Sequence, residues 1–180
     1  MTFDINKIPS KKGKIAIVTG ANTGLGKEIT LGLAKKDIKV IMACRNLKKA
    51  ETTKSEILQL VPTADLEIME LDLSSLKAVR TFASAFKSKY TQLDLLIENA
   101  GIMIPPFTIT EDGFESQMGV NHFSHFLLTN LLFSLLNKTE GARIATTSSI
   151  AHETGSIDFD NLNWDKNYNK MAAYRQSKLA

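Results

Sequence analysis

Lys14-Ile15-Ala16-Ile17-Val18-Thr19-Gly20-Ala21-Asn22-Thr23-Gly24-Leu25-Gly26 is the stretch whose reading decides the fold. Its first half, Lys14 to Gly20, is a short β-branched run that ends in a turn signal, the pattern of a strand buried on both faces. From Gly24 onward Leu25, Ile29 and Leu33 recur every four residues, which aligns them on one face of a helix ending near Lys36. A strand that passes through glycines into a helix opens a βαβ unit. Glycines at that junction allow a tight turn, let backbone amides approach a pyrophosphate and let the helix pack close to the sheet, while the helix N-terminus favours an anion. A plain glycine-rich turn would have the same composition, but these flanks predict a dinucleotide-binding turn built from Gly20, Asn22, Thr23, Gly24, Leu25 and Gly26.

The alternation continues outward from that turn. Ile38–Ala43 reads as strand and Leu47–Leu60 as helix, with Pro62 as the stop. Leu66–Leu71 is the third strand. A helix from Ser75, a plausible N-cap, to Tyr90 carries Leu76, Val79, Phe82, Ala83 and Phe86 at spacings of three and four. Leu93–Ile97 is the fourth strand, a long helix spans Asp112 to Leu136, and Arg143–Thr147 is the fifth strand. After a polar connection, Met171–Ala180 opens a last helix. Strands alternating with helices, without repeats or low-complexity stretches, predict a single α/β domain over residues 1–180, a Rossmann-type doubly wound parallel sheet.

Composition is consistent with that architecture and excludes others. With 43% hydrophobic and 23% charged residues, the 180-residue chain is neither disordered nor a disulfide scaffold. A net charge of +3, dispersed along the sequence, gives no reason to expect nucleic acid as a partner. The lone Cys44 fits a reducing compartment, and the polar N-terminus and interrupted apolar runs predict a cytoplasmic protein without a membrane anchor. His122, His125, His152 and Cys44 form no metal-ligand pattern, so packing or capping roles are expected of the histidines.

Charge near the second strand bears on which nucleotide is held. An acidic residue at that strand end ordinarily bonds the ribose hydroxyls of NAD. Here Met42-Ala43-Cys44-Arg45-Asn46 contains no acid, and Arg45 is suited to pairing a 2′-phosphate, so NADP(H) is expected over NAD(H).

Further motifs follow in order: Asp72-Leu73 after the third strand, Asn99-Ala100-Gly101 after the fourth, Asn121 in the long helix, Ser148-Ser149 after the fifth strand, and Tyr174-x-x-x-Lys178 opening the last helix. Together with the G-x-x-x-G-x-G spacing, these resemble the short-chain dehydrogenase/reductase family over essentially the whole chain from Lys14 to Ala180. The phrases Ala43–Asn46, Val120–Thr129 and Ser149–His152 are most similar to its retinol dehydrogenase and protochlorophyllide reductase branch.

The resemblance implies hydride transfer between a nicotinamide and a carbonyl or alcohol. Tyr174 would be the acid/base, Lys178 would lower its pKa and bind the nicotinamide ribose, Ser149 would hold the substrate oxygen, and Asn121 would hold a relay water. Tyr174 and Lys178 project to one helix face, and a phenol of ordinary pKa near 10 needs such an ammonium to act at neutral pH. Asp72, Leu73, Asn99, Ala100 and Gly101 would complete the cofactor site with Arg45, Asn46, Tyr174 and Lys178. Ser148 and Ser149 are both candidates on geometry, since strand neighbours point opposite ways; the branch resemblance selects Ser149. Glu98 stands where the family usually has Asn, a costly carboxylate unless hydrogen-bonded. The family's C-terminal substrate-binding part is expected to lie outside these residues, which leaves the fifth strand as an open edge. The helices over 112–136 and 171–180 could pair two copies. The alternative function is a nucleotide-binding or interaction module with little or no catalysis.

Overall fold

The structure, a computed structural model, describes residues 4–180. Strands β1 (Ile15–Thr19), β2 (Lys39–Cys44), β3 (Leu66–Glu70), β4 (Leu95–Glu98) and β5 (Arg143–Thr146) form one parallel sheet in the order β3-β2-β1-β4-β5. Successive residues of β1 feed opposite faces. Ala16 and Val18 join Val40, Met42, Ala34 of α1 (Gly24–Ala34) and Ile57 of α2 (Leu47–Leu60) in one core. Ile17 joins Ile41, Phe82 and Phe86 of α3 (Leu76–Lys89) and Leu128 and Leu132 of α5 (Ser124–Lys138) in the other. Helices on both faces of a parallel sheet give the doubly wound fold that the sequence predicts. Strand order reverses at β1, between β2 and β4, and such a reversal opens a crevice at the carboxyl ends of the strands.

Three local differences from the sequence reading have physical causes. The fourth strand begins two residues later than expected, because Asp94 uses its carboxylate to accept from Ile15 N (2.8 Å) and Leu93 N is taken by Thr139 Oγ1 (3.2 Å). The long helix starts at Ser116, not Asp112. Glu115 caps it through bonds to Gln117 N (3.0 Å) and Met118 N (2.9 Å), while the Asp112 carboxylate accepts from Leu76 N (2.7 Å) at the start of α3. Its first turn, α4 (Ser116–Met118), then passes through a π-helical stretch, Gly119–Phe123, before α5. A 3₁₀ turn (Ile150–Thr154) and α6 (Lys170–Leu179) complete the chain. Among the described residues β5 pairs with β4 alone, and it is exposed along its length, with Ile144 44% accessible.

Candidate active site

Thr19, at the end of β1, is the hub of the crevice. Its hydroxyl oxygen accepts from Asn99 N (2.9 Å) and Ala100 N (3.0 Å), and its carbonyl accepts from Asn99 Nδ2 (3.0 Å). These bonds hold the turn after β4 against the glycine turn after β1. The fit is close enough that side chains are excluded at two glycines. A Cβ on Gly20, whose φ is +66°, would stand 3.1 Å from Ala100 Cα, and one on Gly26 would strike the Gly20 carbonyl and come within 2.6 Å of Asn99 Nδ2. Gly24 (φ +51°) opens α1 with nothing within 4 Å of its Cβ position, and Thr23 gives that helix no side-chain cap. Uncapped N–H groups facing open space suit a phosphate, so the glycine turn fits the nucleotide that the sequence predicts.

Residues around the second and third strands meet on the same side. Arg45 is exposed, and its Nη1 lies 3.9 Å from Asp72 Oδ1, a loose pair that leaves the guanidinium free for another anion. Asn46 caps α2 by accepting from Lys49 N (2.9 Å), and Asp72 accepts from Ser74 N and Oγ (2.9 and 2.7 Å). Leu73 is buried, and its carbonyl accepts from Ser124 Oγ (2.6 Å), so this turn is anchored to α5. Cys44 lies beneath the glycine turn. Burial pushes its thiol up to about 11, which makes it an inert core residue.

Two of the residues predicted for catalysis, Asn121 and Lys178, meet at Gly101. A Cβ there would come within 3.1 Å of Asn121 Oδ1 and 3.4 Å of Lys178 Nζ. Lys178 Nζ donates to Thr147 O (2.8 Å) just past β5, and burial lowers the pKa of its ammonium. Asn121, in the π-helical stretch, spends its whole side chain on structure: Oδ1 accepts from Ile102 N (2.8 Å), and Nδ2 donates to Ile102 O (3.0 Å) and Ser177 Oγ (2.9 Å). Its main-chain carbonyl lies 3.1 Å from His125 Nδ1. The two serines differ in their commitments. Ser148 Oγ donates to Lys178 O (2.9 Å), whereas Ser149 Oγ accepts from Ala151 N (3.2 Å) and keeps its own proton uncommitted. The turn that follows packs on α6, where a Cβ on Gly155 would press against Arg175 O at 2.9 Å. Tyr174 is half-buried, and its hydroxyl has no hydrogen-bond partner among the described residues.

Several residues that shape this site carry no motif. Gln117 is fully buried: its Oε1 accepts from Ile104 N (2.8 Å), and its Nε2 donates to Lys170 O (3.0 Å) and Tyr168 Oη (3.2 Å). The loop after Gly101 is thus tied to the start of α6. Tyr168 packs edge-on against Phe107 at 5.0 Å. Glu98 is buried but satisfied, accepting from Thr129 Oγ1 (2.6 Å) and Thr146 Oγ1 (2.8 Å), so the anticipated cost at this strand end is offset. Buried His125 bridges Thr19 and Asn121. Only the recurrence of Thr and His among apolar positions of the long helix could have flagged these partners. Among the described residues no group of three or more His, Cys, Asp and Glu could hold a metal, and no helix is long and apolar enough to cross a membrane.

Comparison with known proteins agrees with this architecture. A family model described as short chain dehydrogenase matches residues 14–161. Human retinol dehydrogenase 13 is 49% identical over 176 residues, covering 96% of this chain and 53% of that protein. Retinol dehydrogenase 12 from Bos taurus is 45% identical over 168 residues, with 93% and 53% covered. The chain therefore spans about half the length of the curated relatives it matches. Among solved structures, an uncharacterized protein from Mycobacterium paratuberculosis superposes with TM-score 0.86 at 40% identity, covering 99% of this chain and 62% of that one. A short-chain dehydrogenase from Shigella flexneri complexed with NADP gives TM-score 0.72 at 26% identity, with 93% and 67% covered. With the glycine turn, the Asn99 turn and the Tyr174/Lys178 helix in the family's order on the family's fold, this chain belongs to the short-chain dehydrogenase family.

Proposed function

We propose that this chain carries the cofactor site and the catalytic residues of an NADP(H)-dependent oxidoreductase that interconverts a carbonyl compound and its alcohol. The observation that carries the reading is the meeting of Lys178 Nζ and Asn121 Oδ1 at the Cβ position of Gly101. That junction lies between the glycine turn and the helix bearing Tyr174. A bound nicotinamide supplies or receives the hydride. In the reducing direction the Tyr174 phenol donates its proton to the nascent alkoxide, and the Lys178 ammonium, held by Thr147 O, stabilises the phenolate left behind. Ser149 offers its free proton to the substrate oxygen. The Asn121 carbonyl serves a water through which the phenolate is reprotonated from solvent.

Arg45, exposed and loosely paired, supports NADP(H) over NAD(H), as does the NADP held by the Shigella flexneri relative. Relatives named retinol dehydrogenases support an apolar alcohol or aldehyde as substrate. Buried, unpaired Cys44 is consistent with the reducing cytoplasm. Exposed Phe126 and Phe133 on α5 support pairing with a second copy through the helices named above, which sedimentation would reveal as a dimer mass.

The deciding experiment measures NADPH consumption with a panel of aldehydes, ketones and retinoids in the full chain of this protein. Tyr174→Phe is expected to lower kcat by about 10²–10⁴-fold, the usual worth of a general acid, while NADPH still binds. Undiminished turnover in that variant refutes the mechanism. Binding of NADPH without turnover of any panel member favours the binding module.

A further inference from the structure

A hydroxyl has two lone pairs and one proton, and at Thr19 all three are accounted for. Both lone pairs are taken by the Asn99 and Ala100 N–H groups at 2.9 and 3.0 Å. The proton has two acceptors within reach: His125 Nε2 at 3.0 Å and Ile97 O at 3.5 Å, of which the first is the better placed. To accept, Nε2 must be bare, so the ring proton sits on Nδ1. That nitrogen lies 3.1 Å from Asn121 O, which can only accept. The two ends of the ring thus require the same tautomer independently. An Nε2–H would be a third N–H donor aimed at a Thr19 oxygen whose two lone pairs are taken, and would leave a bare Nδ1 against the Asn121 carbonyl.

The surroundings keep this ring neutral. His125 is 3% exposed, and burial pushes its pKa down; Glu98 on β4 and the Asn121 carbonyl oppose that, while Lys178 on α6 and His122 on the π-helical stretch reinforce it.

We propose that His125, held as the neutral Nδ1–H tautomer, is a positioning residue that locks the cofactor-side turns at Thr19 to the Asn121 carbonyl that serves proton delivery. This rests on the oxidoreductase reading for its functional consequence, though not for its geometry. One ring spans the two halves of the site. Its Nε2 fixes the Thr19 hydroxyl, and hence the Asn99 turn beside the glycine loop. Its Nδ1–H fixes the orientation of the Asn121 carbonyl, the group proposed to serve the relay water.

Two measurements test this. Two-bond ¹H–¹⁵N correlation spectra of the cofactor-free protein at neutral pH should show His125 protonated at Nδ1 and bare at Nε2. An Nε2–H or imidazolium pattern overturns the proposal, whatever the protein catalyses. The second measurement separates the two bonds in the full chain. In His125→Gln the side-chain oxygen reaches the Nε2 position and still accepts from Thr19, but the donor to Asn121 is gone. In His125→Asn the side-chain nitrogen stands at the Nδ1 position and still donates to Asn121, but the acceptor for Thr19 is gone. The expected result is a split, each about 3- to 10-fold for the loss of one hydrogen bond: a fall in kcat for His125→Gln, and a rise in KM for NADPH for His125→Asn. Parallel changes in both constants for both variants, as a purely structural histidine would give, overturn it. Should either variant fail to fold, the tautomer of the unsubstituted chain decides alone, and an absence of turnover with every substrate defeats the oxidoreductase reading without touching that result.

Discussion

At the scale of single residues, the site depends on atoms that are absent as much as on those present. Gly26 has no side chain because the space a Cβ would fill belongs to the Gly20 carbonyl and to Asn99 Nδ2. The neighbours are backbone and a committed amide, so neither yields cheaply. Gly26→Ala is therefore expected to cost about 1–3 kcal/mol, the usual range for overpacking, read as a lower urea midpoint, and to weaken NADPH binding because Asn99 must release Thr19 O. An unchanged midpoint with unchanged affinity would show that the turn has slack. Arg45 is the converse case, an exposed cation whose one pairing, to Asp72, is loose. Charge-assisted bonds of the kind expected with a 2′-phosphate are worth about 1.5–3 kcal/mol, so Arg45→Asp should raise the Kd for NADPH by roughly 10- to 100-fold and leave that for NADH little altered. Equal losses for both nucleotides would mean that Arg45 does not read the 2′-phosphate.

At the scale of elements, Gln117 joins three segments that would otherwise touch only through loops: Ile104, Tyr168 and the start of α6. Because Oε1 faces a backbone N–H and Nε2 a backbone carbonyl, the orientation of its amide is dictated by partners that cannot change roles. Gln117→Glu replaces the donor with a carboxylate oxygen aimed at Lys170 O. The expected penalty is about 1–3 kcal/mol in urea unfolding, with a drop in kcat because the helix bearing Tyr174 loses its anchor. Stability equal to that of the parent would remove Gln117 from the site's framework. Elements of this kind mark where the sequence stops being legible. The strands can be read because they are short apolar runs bounded by turn and loop residues, and α1, α2 and α3 because each has one period and one apolar face; Ser75 accepts from Ala78 N (3.4 Å) as its position predicts. The motif residues could be read because few sequences place glycines, Asn, Ser, Tyr and Lys in that order along alternating elements. The π-helical stretch at Asn121 could not be read, since a helix of either winding shows nearly the same spacing over five residues. Nor could the partners of Glu98 and Gln117, which lie far off in the sequence and become neighbours only when the sheet forms.

At the scale of the whole molecule, the buried groups couple folding to pH, and the signs can be worked out. Burial lowers the pKa of His125, and also that of half-buried His122, below the ordinary histidine value. Unfolding restores that value, near 6.5. As pH falls below about 6.5 the unfolded chain therefore binds protons that the native chain refuses, and stability falls with it, by at most about 1.4 kcal/mol per pH unit for His125. The loss continues until pH passes the folded pKa. A second loss sets in lower. Burial tends to raise the pKa of Glu67, but bonds from Lys89 Nζ and Tyr90 Oη (both 2.6 Å) outweigh it and hold the carboxyl below its ordinary range. A depressed carboxyl pKa stabilises the fold above the unfolded value, near 4.3, and that contribution vanishes as pH drops through the folded one. Urea unfolding at a series of pH values should therefore show two descending limbs, one beginning in the histidine range and one in the carboxylate range. His125→Gln should flatten the first limb without moving the second, because the titrating ring is gone while Glu67 keeps its partners. A parent stability that stays level from pH 7 to 5.5 would mean that His125 is as easily protonated inside the fold as outside it. A buried ring with one lone pair committed to the Thr19 hydroxyl cannot behave that way.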